Sequence, residues 1–209
     1  MNNTNFCYVF CDNSSKMIKK LLIKIHRLSV IKSRVYNALS QIKKGVNWLT
    51  KSNIFLYSIV LPIVCFTVKG LVYLFKDVLK IPDIEFRERL VNENFDVTVY
   101  TLVDVLILVP ILETLVFQTL FFSILRRFKI KRWIIVLISG IAFGAFHNYS
   151  LFYMIGTASI GFIFMYMYIL RAEIDNKPLA STIIAHASMN LVVIVAVFIT
   201  HFYKFGTWF

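Results

Sequence analysis

The sequence predicts an all-α fold, a polytopic bundle of about five membrane-spanning helices preceded by a basic amphipathic helix. Of the 209 residues, 58% are hydrophobic and only 16% are charged. Soluble domains are typically about 45–50% apolar and about 25% charged, so a water-soluble globule is excluded. The mean hydropathy of +0.72 points the same way. The apolar residues form long runs, and a strongly basic segment precedes them.

The net charge of +12 would suit either nucleic acid or an anionic membrane, and the apolar composition favours the membrane. We therefore expect anionic lipid as a partner of the basic segment and no nucleic acid. The three cysteines, Cys7, Cys11 and Cys65, are too few for a disulfide scaffold. No histidine or second cysteine pair lies beside Cys7 and Cys11, so no metal is expected there.

Residues 1–52 contain ten Lys or Arg residues and one acid, Asp12. From residue 16 to residue 42, leucine, isoleucine and valine recur at helical spacing between the basic residues, which is typical of a helix lying on a membrane surface. Packing of this helix on another protein is the alternative. Since no apolar core and no cleavage site follow the basic cluster, it is not a cleavable signal. We predict two parts: an amphipathic segment, residues 1–52, on the cytosolic membrane face, and a membrane-embedded helical domain, residues 53–209.

Five apolar stretches are visible after residue 52, of which the third is short and the second is long enough to be tilted or kinked: 53–75, 97–125, 133–147, 150–170 and 179–203. The connections on the N-terminal side carry seventeen Lys or Arg residues, and those on the other side carry five. This positive-inside bias predicts a multi-pass protein of the cell membrane with its N-terminus in the cytosol.

Charged residues inside a spanning helix cost about 2.5–3.5 kcal/mol each on insertion scales, so the few polar residues here need an explanation. Glu113 lies near the middle of the second stretch, three residues after Pro110, which frees a backbone carbonyl and loosens the helix. His186 and Asn190 are four residues apart and share one helix face. His147 follows the close-packing pair Gly140 and Gly144, so we expect it to face protein rather than lipid.

Helix geometry brings these residues to overlapping depths in the membrane. At ~1.5 Å per residue, the distances from the cytosolic edge are roughly 20 Å for Glu113, 22 Å for His147, 12 Å for His186 and 18 Å for Asn190. The sequence therefore predicts that they meet in one site. Lys69, in the first stretch, is expected to extend toward the nearer membrane face and is left out of the site.

The ordered motifs Pro110-x-x-Glu113, Phe143-x-x-x-His147 and His186-x-x-x-Asn190 resemble the CPBP family over roughly residues 100–200. That family includes CAAX-processing endopeptidases and bacteriocin-processing or self-immunity membrane proteins. Its first motif is usually Glu-Glu-x-x-x-Arg, and here Thr114 and Gln118 occupy the second Glu and the Arg positions. A charged pair has thus become a neutral pair able to hydrogen-bond, for which, as for Phe143, we expect a supporting role.

The resemblance implies a glutamate-dependent intramembrane endopeptidase that needs no cofactor. Glu113 would be the general base for a water molecule shared with His147, and this water would attack the scissile carbonyl. His186 and Asn190 would donate hydrogen bonds to the oxyanion. The substrate would be a membrane-associated peptide or protein, in bacteriocin or peptide maturation or in self-immunity.

Three alternatives remain at this stage. Glu113, His147 and His186 could instead hold a catalytic zinc ion, although no His-Glu-x-x-His run is present. A non-catalytic membrane immunity protein that binds a bacteriocin or its receptor is favoured by the changes at Thr114 and Gln118. A transporter is disfavoured because the chain has no internal repeat.

Overall fold

The computed structural model describes residues 30–81 and 99–205, and all regular elements in these ranges are helices, which confirms the predicted fold class. The predicted amphipathic pattern before residue 30 and most of the 76–96 connection lie outside the described residues. The helices are α1 (residues 30–51), α2 (Ile54–Val78), α3 (the consecutive segments Val99–Val103, Asp104–Leu108, Val109–Glu113, Thr114–Leu120 and Phe121–Arg127), α4 (Arg132–Phe146), α5 (Leu151–Glu173) and α6 (Pro178–Phe205).

Four helices are long and apolar enough to cross a membrane, namely those containing Ile54–Val78, Tyr100–Arg127, Leu151–Glu173 and Pro178–Thr200. They coincide with the four longer predicted stretches, so the chain is a multi-pass membrane protein. The short third stretch is α4, which has 15 residues. At ~1.5 Å per residue α4 is about 22 Å long, less than the ~30 Å hydrocarbon core of a bilayer.

The irregular helix is α3, where a kink or tilt was expected. Two of its five segments, Asp104–Leu108 and Thr114–Leu120, are π-helical, and the α-helical turn between them contains Pro110 and ends at Glu113. Wide π turns of this kind are rare and are frequently found at functional sites. They leave backbone carbonyls available for partners on other helices.

Local capping explains where two spanning helices begin. The side chain of Asn53 accepts a hydrogen bond from the Leu56 N–H at 2.8 Å and caps α2. The hydroxyl of Ser150 accepts from the Tyr153 N–H at 3.2 Å and caps α5. α6 begins at Pro178, a residue suited to the first turn because it has no N–H to satisfy.

The glycines of α4 bring it into close contact with α5, as the sequence predicted. A Cβ atom at Gly144 would lie 2.6 Å from the Met154 carbonyl oxygen and 2.6 Å from the Ala158 Cβ, so only glycine fits there. On the facing helix, a Cβ at Gly161 would lie 3.0 Å from the Gly140 Cα. The two helices are antiparallel, and a salt bridge of 2.8 Å between Arg132 Nη2 and Glu173 Oε1 joins the start of α4 to the end of α5.

The fully buried guanidinium of Arg171, near the end of α5, holds the segment that precedes α2. It lies 4.4 Å above the Tyr57 ring. Its N–H groups donate to the backbone carbonyls of Leu49 (3.4 Å), Thr50 (3.1 Å), Ser52 (3.1 Å) and Asn176 (3.0 Å). This cluster fixes the bundle at the end that carries the basic loops.

The chain divides into two compact units, Met1–Trp48 and Leu49–Phe209. In the first unit, four exposed apolar side chains of α1 fall within about 80° of helix rotation: Ile31, Val35, Leu39 and Ile42. Val30, Tyr36 and Trp48 are also exposed and lie outside this face. Lys32 and Lys43 lie along one edge of it. The amphipathic membrane-surface helix stays a prediction.

Candidate active site

Glu113, His147 and His186 come together from three helices in the membrane-embedded unit. The His147 Nε2 lies 3.7 Å from Glu113 Oε1, and the His186 Nε2 lies 3.4 Å from Glu113 Oε2. Glu113 ends the α-helical turn between the π segments of α3, and His147 directly follows α4. His186 lies in the third turn of α6. Each imidazole therefore faces one oxygen of the same carboxyl group.

The orientation of His147 is set by its own helix. Its Nδ1–H donates a hydrogen bond of 2.8 Å to the carbonyl of Phe143, one turn earlier. A carbonyl oxygen can only accept, so Nδ1 carries the proton and Nε2 presents its lone pair toward Glu113 when the ring is neutral. This is the arrangement that a proton-accepting imidazole needs.

The aromatic ring of Phe143 forms the apolar wall behind the two histidines. Its centroid is 4.7 Å from that of His147 and 6.0 Å from that of His186, and it meets Phe117 edge-on at 5.3 Å. Phe164 packs against His186 from the other side at 5.3 Å. These contacts restrict both imidazole rings, and the supporting role of Phe143 stays a prediction.

The three polar side chains differ in their access to the surface. The exposed fraction is 18% for His147 and 13% for Glu113, but 4% for His186. Glu113 and His147 therefore lie at the accessible edge of the site, while His186 lies deeper. Neither distance to Glu113 is short enough for a strong hydrogen bond, which leaves the carboxyl group able to bind a small reactant.

Asn190 is engaged with α3 rather than with Glu113. Its Nδ2 donates a hydrogen bond of 2.9 Å to the Val105 carbonyl. In this π segment the Val109 N–H bonds to the Asp104 carbonyl, so the next carbonyl, that of Val105, faces Pro110, which has no N–H. Asn190 satisfies the carbonyl that Pro110 leaves free and joins α6 to α3 with one of its two N–H groups.

Thr114 and Gln118 are fully buried next to the site in sequence, but they do not form the expected hydrogen bond. Neither the Thr114 hydroxyl nor the Gln118 carboxamide has a hydrogen-bond partner in the described part of the chain. The prediction of a hydrogen-bonded pair was therefore wrong. Both residues lie in the π segment Thr114–Leu120, whose register differs from the α-helical spacing on which that prediction depended.

Two contributions were missed by the sequence analysis. The Lys69 ammonium group lies 4.2 Å above the ring of Tyr153, and the Tyr153 ring centroid is 6.2 Å from that of His147. Lys69 thus reaches the edge of the site instead of standing apart from it. Ser139, one turn before Phe143, donates a buried hydrogen bond of 2.6 Å to the Phe117 carbonyl and attaches α4 to α3. In the sequence, this contact was indicated only by the position of the Ser139 hydroxyl next to Gly140 on α4.

Over residues 30–81 and 99–205, no group of three His, Cys, Asp or Glu side chains has an arrangement that could hold a metal ion. The zinc alternative consequently gains no support from the geometry of Glu113, His147 and His186. The donor set itself, one carboxylate and two imidazoles, is a chemically reasonable one for zinc, so a chelator test keeps its value.

Comparison with known families agrees with the motifs. Residues 95–192 match the family model described as type II CAAX prenyl endopeptidase Rce1-like, over a little under half of the chain. No curated protein and no solved structure matches the chain. The matched region includes Glu113, His147, His186 and Asn190 but not Lys69. Residues 95–192 therefore carry the Rce1-like sequence pattern, and the predicted resemblance to the CPBP family is confirmed.

Proposed function

We propose that this protein is an intramembrane endopeptidase in which Glu113 and His147 activate a water molecule. The observation that carries the proposal is the approach of two imidazole Nε2 atoms to the two oxygens of one buried carboxyl group, at 3.7 Å and 3.4 Å. Because Glu113 Oε1 and His147 Nε2 are 3.7 Å apart, one water molecule beside the pair could lie at ordinary hydrogen-bonding distance, ~2.8 Å, from both atoms.

In this mechanism the oxygen of that water attacks the carbonyl carbon of the scissile peptide bond. The proton released by the water passes to the Glu113 carboxylate or to the His147 Nε2. The same group then gives this proton to the leaving nitrogen as the carbon–nitrogen bond breaks. One water is consumed and a carboxyl and an amino terminus are formed, so the reaction requires no covalent enzyme intermediate.

His186 would stabilise the negative charge that develops on the carbonyl oxygen. It is held between Phe143 and Phe164, and only 4% of its side chain is exposed, so a hydrogen bond from it would act in a water-poor environment. Asn190 keeps one N–H after its bond to Val105. We assign it mainly to positioning α6, with this remaining N–H available to the oxyanion.

The substrate we propose is a membrane-associated peptide or protein, and a role in peptide maturation or in bacteriocin self-immunity is compatible with such a substrate. The competing function is a non-catalytic immunity protein that binds a bacteriocin or its receptor. The neutral residues Thr114 and Gln118 favour this competitor. Retention of the Glu113, His147 and His186 cluster favours catalysis.

The test compares peptides from membranes and culture medium of cells that produce the wild-type, Glu113→Gln or Asp104→Asn protein. Asp104→Asn is the matched control because Asp104 is an exposed acid on the same helix, outside the cluster. The proposal predicts that uncleaved precursors accumulate with Glu113→Gln only. If immunity or maturation persists in Glu113→Gln cells at a normal protein level, the binding function is favoured. If a chelator stops cleavage by the purified wild-type protein, a zinc-dependent mechanism is favoured.

We further propose that the N-terminus is cytosolic and that α1 lies on the anionic lipid of that membrane face. The exposed apolar face of α1, with Lys32 and Lys43 along one edge, supports this placement. In nanodiscs of zwitterionic lipid, α1 is expected to be more accessible to protease than in nanodiscs containing phosphatidylglycerol. Equal cleavage in both would indicate that α1 packs on protein.

A further inference from the structure

The two ends of the membrane-embedded unit differ in charge. One end, which we call the basic end, carries residues 49–53, 127–132 and 173–178, and Arg171 and the Arg132–Glu173 salt bridge hold it together. The opposite end, which we call the rim, is residues 147–150, the connection between α4 and α5. Asn148 and Tyr149 in the rim are exposed.

One edge of the catalytic cluster lies at the rim, whereas His186 lies nearer the basic end. His147 is itself the first residue of the rim, because α4 ends at Phe146. With its first residue at one edge of a ~30 Å hydrocarbon core, α4, about 22 Å long, would end about 8 Å short of the other edge. We expect this difference in length to let polar groups and water reach Glu113 and His147.

Side-chain chemistry around the rim is that of a membrane interface. Tyr149 packs edge-on against Tyr153 at 5.3 Å, and the Lys69 ammonium group lies over the Tyr153 ring. Tyrosine and lysine are enriched at the level of the lipid headgroups. The exposed fractions agree, since His147 and Glu113 are more accessible than His186, which lies nearer the basic end.

We infer that the site opens to the non-cytosolic face of the membrane and takes a polypeptide segment presented on that face. The basic end would be cytosolic by the positive-inside rule, so the rim would lie on the opposite side. The assignment of a peptide as the occupant rests on the proposed endopeptidase function, whereas the direction of opening does not. With this direction of opening, a chain end in the cytosol would not be the substrate.

Cysteine labelling in intact cells tests the direction of opening with a matched pair at the two ends of α4. Asn148→Cys lies in the rim and Lys131→Cys at the basic end, and both positions are exposed. Each is introduced with Cys7→Ser and Cys11→Ser, and buried Cys65 is retained. The protein without either new cysteine must stay unlabelled.

With a sulfonated maleimide, Asn148→Cys should be labelled about tenfold or more above Lys131→Cys in intact cells, because a charged reagent does not cross the bilayer readily. After permeabilisation the two should label equally. The reverse pattern in intact cells would overturn the inference, and so would an Asn148→Cys that remains unlabelled after permeabilisation.

The same reagent distinguishes this inference from the proposed function. If the wild-type protein cleaves a substrate that Glu113→Gln spares, labelling of Asn148→Cys should stop product formation and labelling of Lys131→Cys in permeabilised cells should not. Continued cleavage by fully labelled Asn148→Cys protein would refute entry through the rim. If Asn148→Cys is labelled in intact cells but wild type and Glu113→Gln do not differ in cleavage, proteolysis is refuted. The inferred direction of opening would still stand.

Discussion

Arg171 and Glu113 are both ionisable side chains inside the helical bundle, and their surroundings are opposite in character. The guanidinium of Arg171 donates to the carbonyls of Leu49, Thr50, Ser52 and Asn176 at 3.0–3.4 Å and lies over the Tyr57 ring. Two imidazoles face the carboxyl group of Glu113, at 3.4 Å and 3.7 Å, and its Oε2 has no hydrogen-bond partner among the described residues.

This difference separates a structural polar cluster from a functional one. A buried charge that bonds to the backbone of its own fold stabilises that fold, because several hydrogen bonds would be lost with it. A buried carboxyl group with open hydrogen-bonding positions costs stability and has capacity for a reactant. We therefore expect substitutions in the two clusters to affect different measurements.

The largest expected effect is on catalysis by Glu113→Gln. The carboxamide has the same shape but cannot accept a proton, so cleavage should fall by about 10³-fold or more, near the upper range for general acid–base catalysis. The melting temperature should not fall, because a poorly compensated buried carboxyl group is replaced by a neutral one. Cleavage rate and thermal unfolding of the purified protein check both statements. A rate within tenfold of wild type would remove Glu113 from the mechanism.

The next effect is that of His186→Gln, which keeps a polar group but changes the position of its N–H. Loss of one oxyanion donor typically lowers kcat by about 10²–10³-fold. We expect a fall of this size in kcat with little change in KM, since His186 would act on the transition state. Steady-state kinetics separates the two constants. A change confined to KM would mean that His186 binds substrate instead.

Arg171→Met should act on stability and not on chemistry. It removes donors from four backbone carbonyls, of which those of Leu49, Thr50 and Ser52 keep other donors, whereas that of Asn176 loses its bond to Arg171 Nε. The bundle should therefore be destabilised by about 1–3 kcal/mol, the cost of one buried polar group left unsatisfied. Thermal unfolding in detergent measures the loss. The protein that remains folded should cleave at the wild-type rate, and a large loss of rate per folded molecule would show that the clusters are coupled.

Asn190→Ala is expected to give the smallest change in stability and in cleavage rate. It tests whether Asn190 belongs with the structural residues or with the catalytic ones. Loss of its bond to Val105 should cost about 1 kcal/mol, in the range of ~0.6–1.7 kcal/mol for hydrogen bonds between membrane helices. Its effect on kcat should be smaller than that of His186→Gln. An unchanged melting temperature together with an equal loss of kcat would make Asn190 chiefly an oxyanion donor.

The sequence predicted the cluster because helix geometry alone is enough to compare depths. Glu113, His147 and His186 were assigned to overlapping depths from residue counts, and the structure brings them together. The Gly140 and Gly144 contact with α5 was equally predictable, since two small residues four apart permit close backbone approach.

The errors arise where the helix departs from α-helical spacing or where a distant helix contributes. Thr114 and Gln118 were paired by α-helical spacing, but they lie in a π segment and do not bond. The contact of Asn190 with Val105 depends on the neighbouring π segment and on the missing N–H of Pro110. Lys69 was set aside because it was expected to extend toward the nearer membrane face, and no periodicity relates α2 to Tyr153 on α5.

The most direct test of the account measures cleavage rate and unfolding temperature side by side for Glu113→Gln and Arg171→Met. We expect the two variants to have opposite defects. Glu113→Gln should be folded and inactive, while Arg171→Met should be destabilised yet active in its folded fraction. A Glu113→Gln protein that unfolds early, or that cleaves at a rate close to wild type, would contradict the assignment of Glu113 to catalysis.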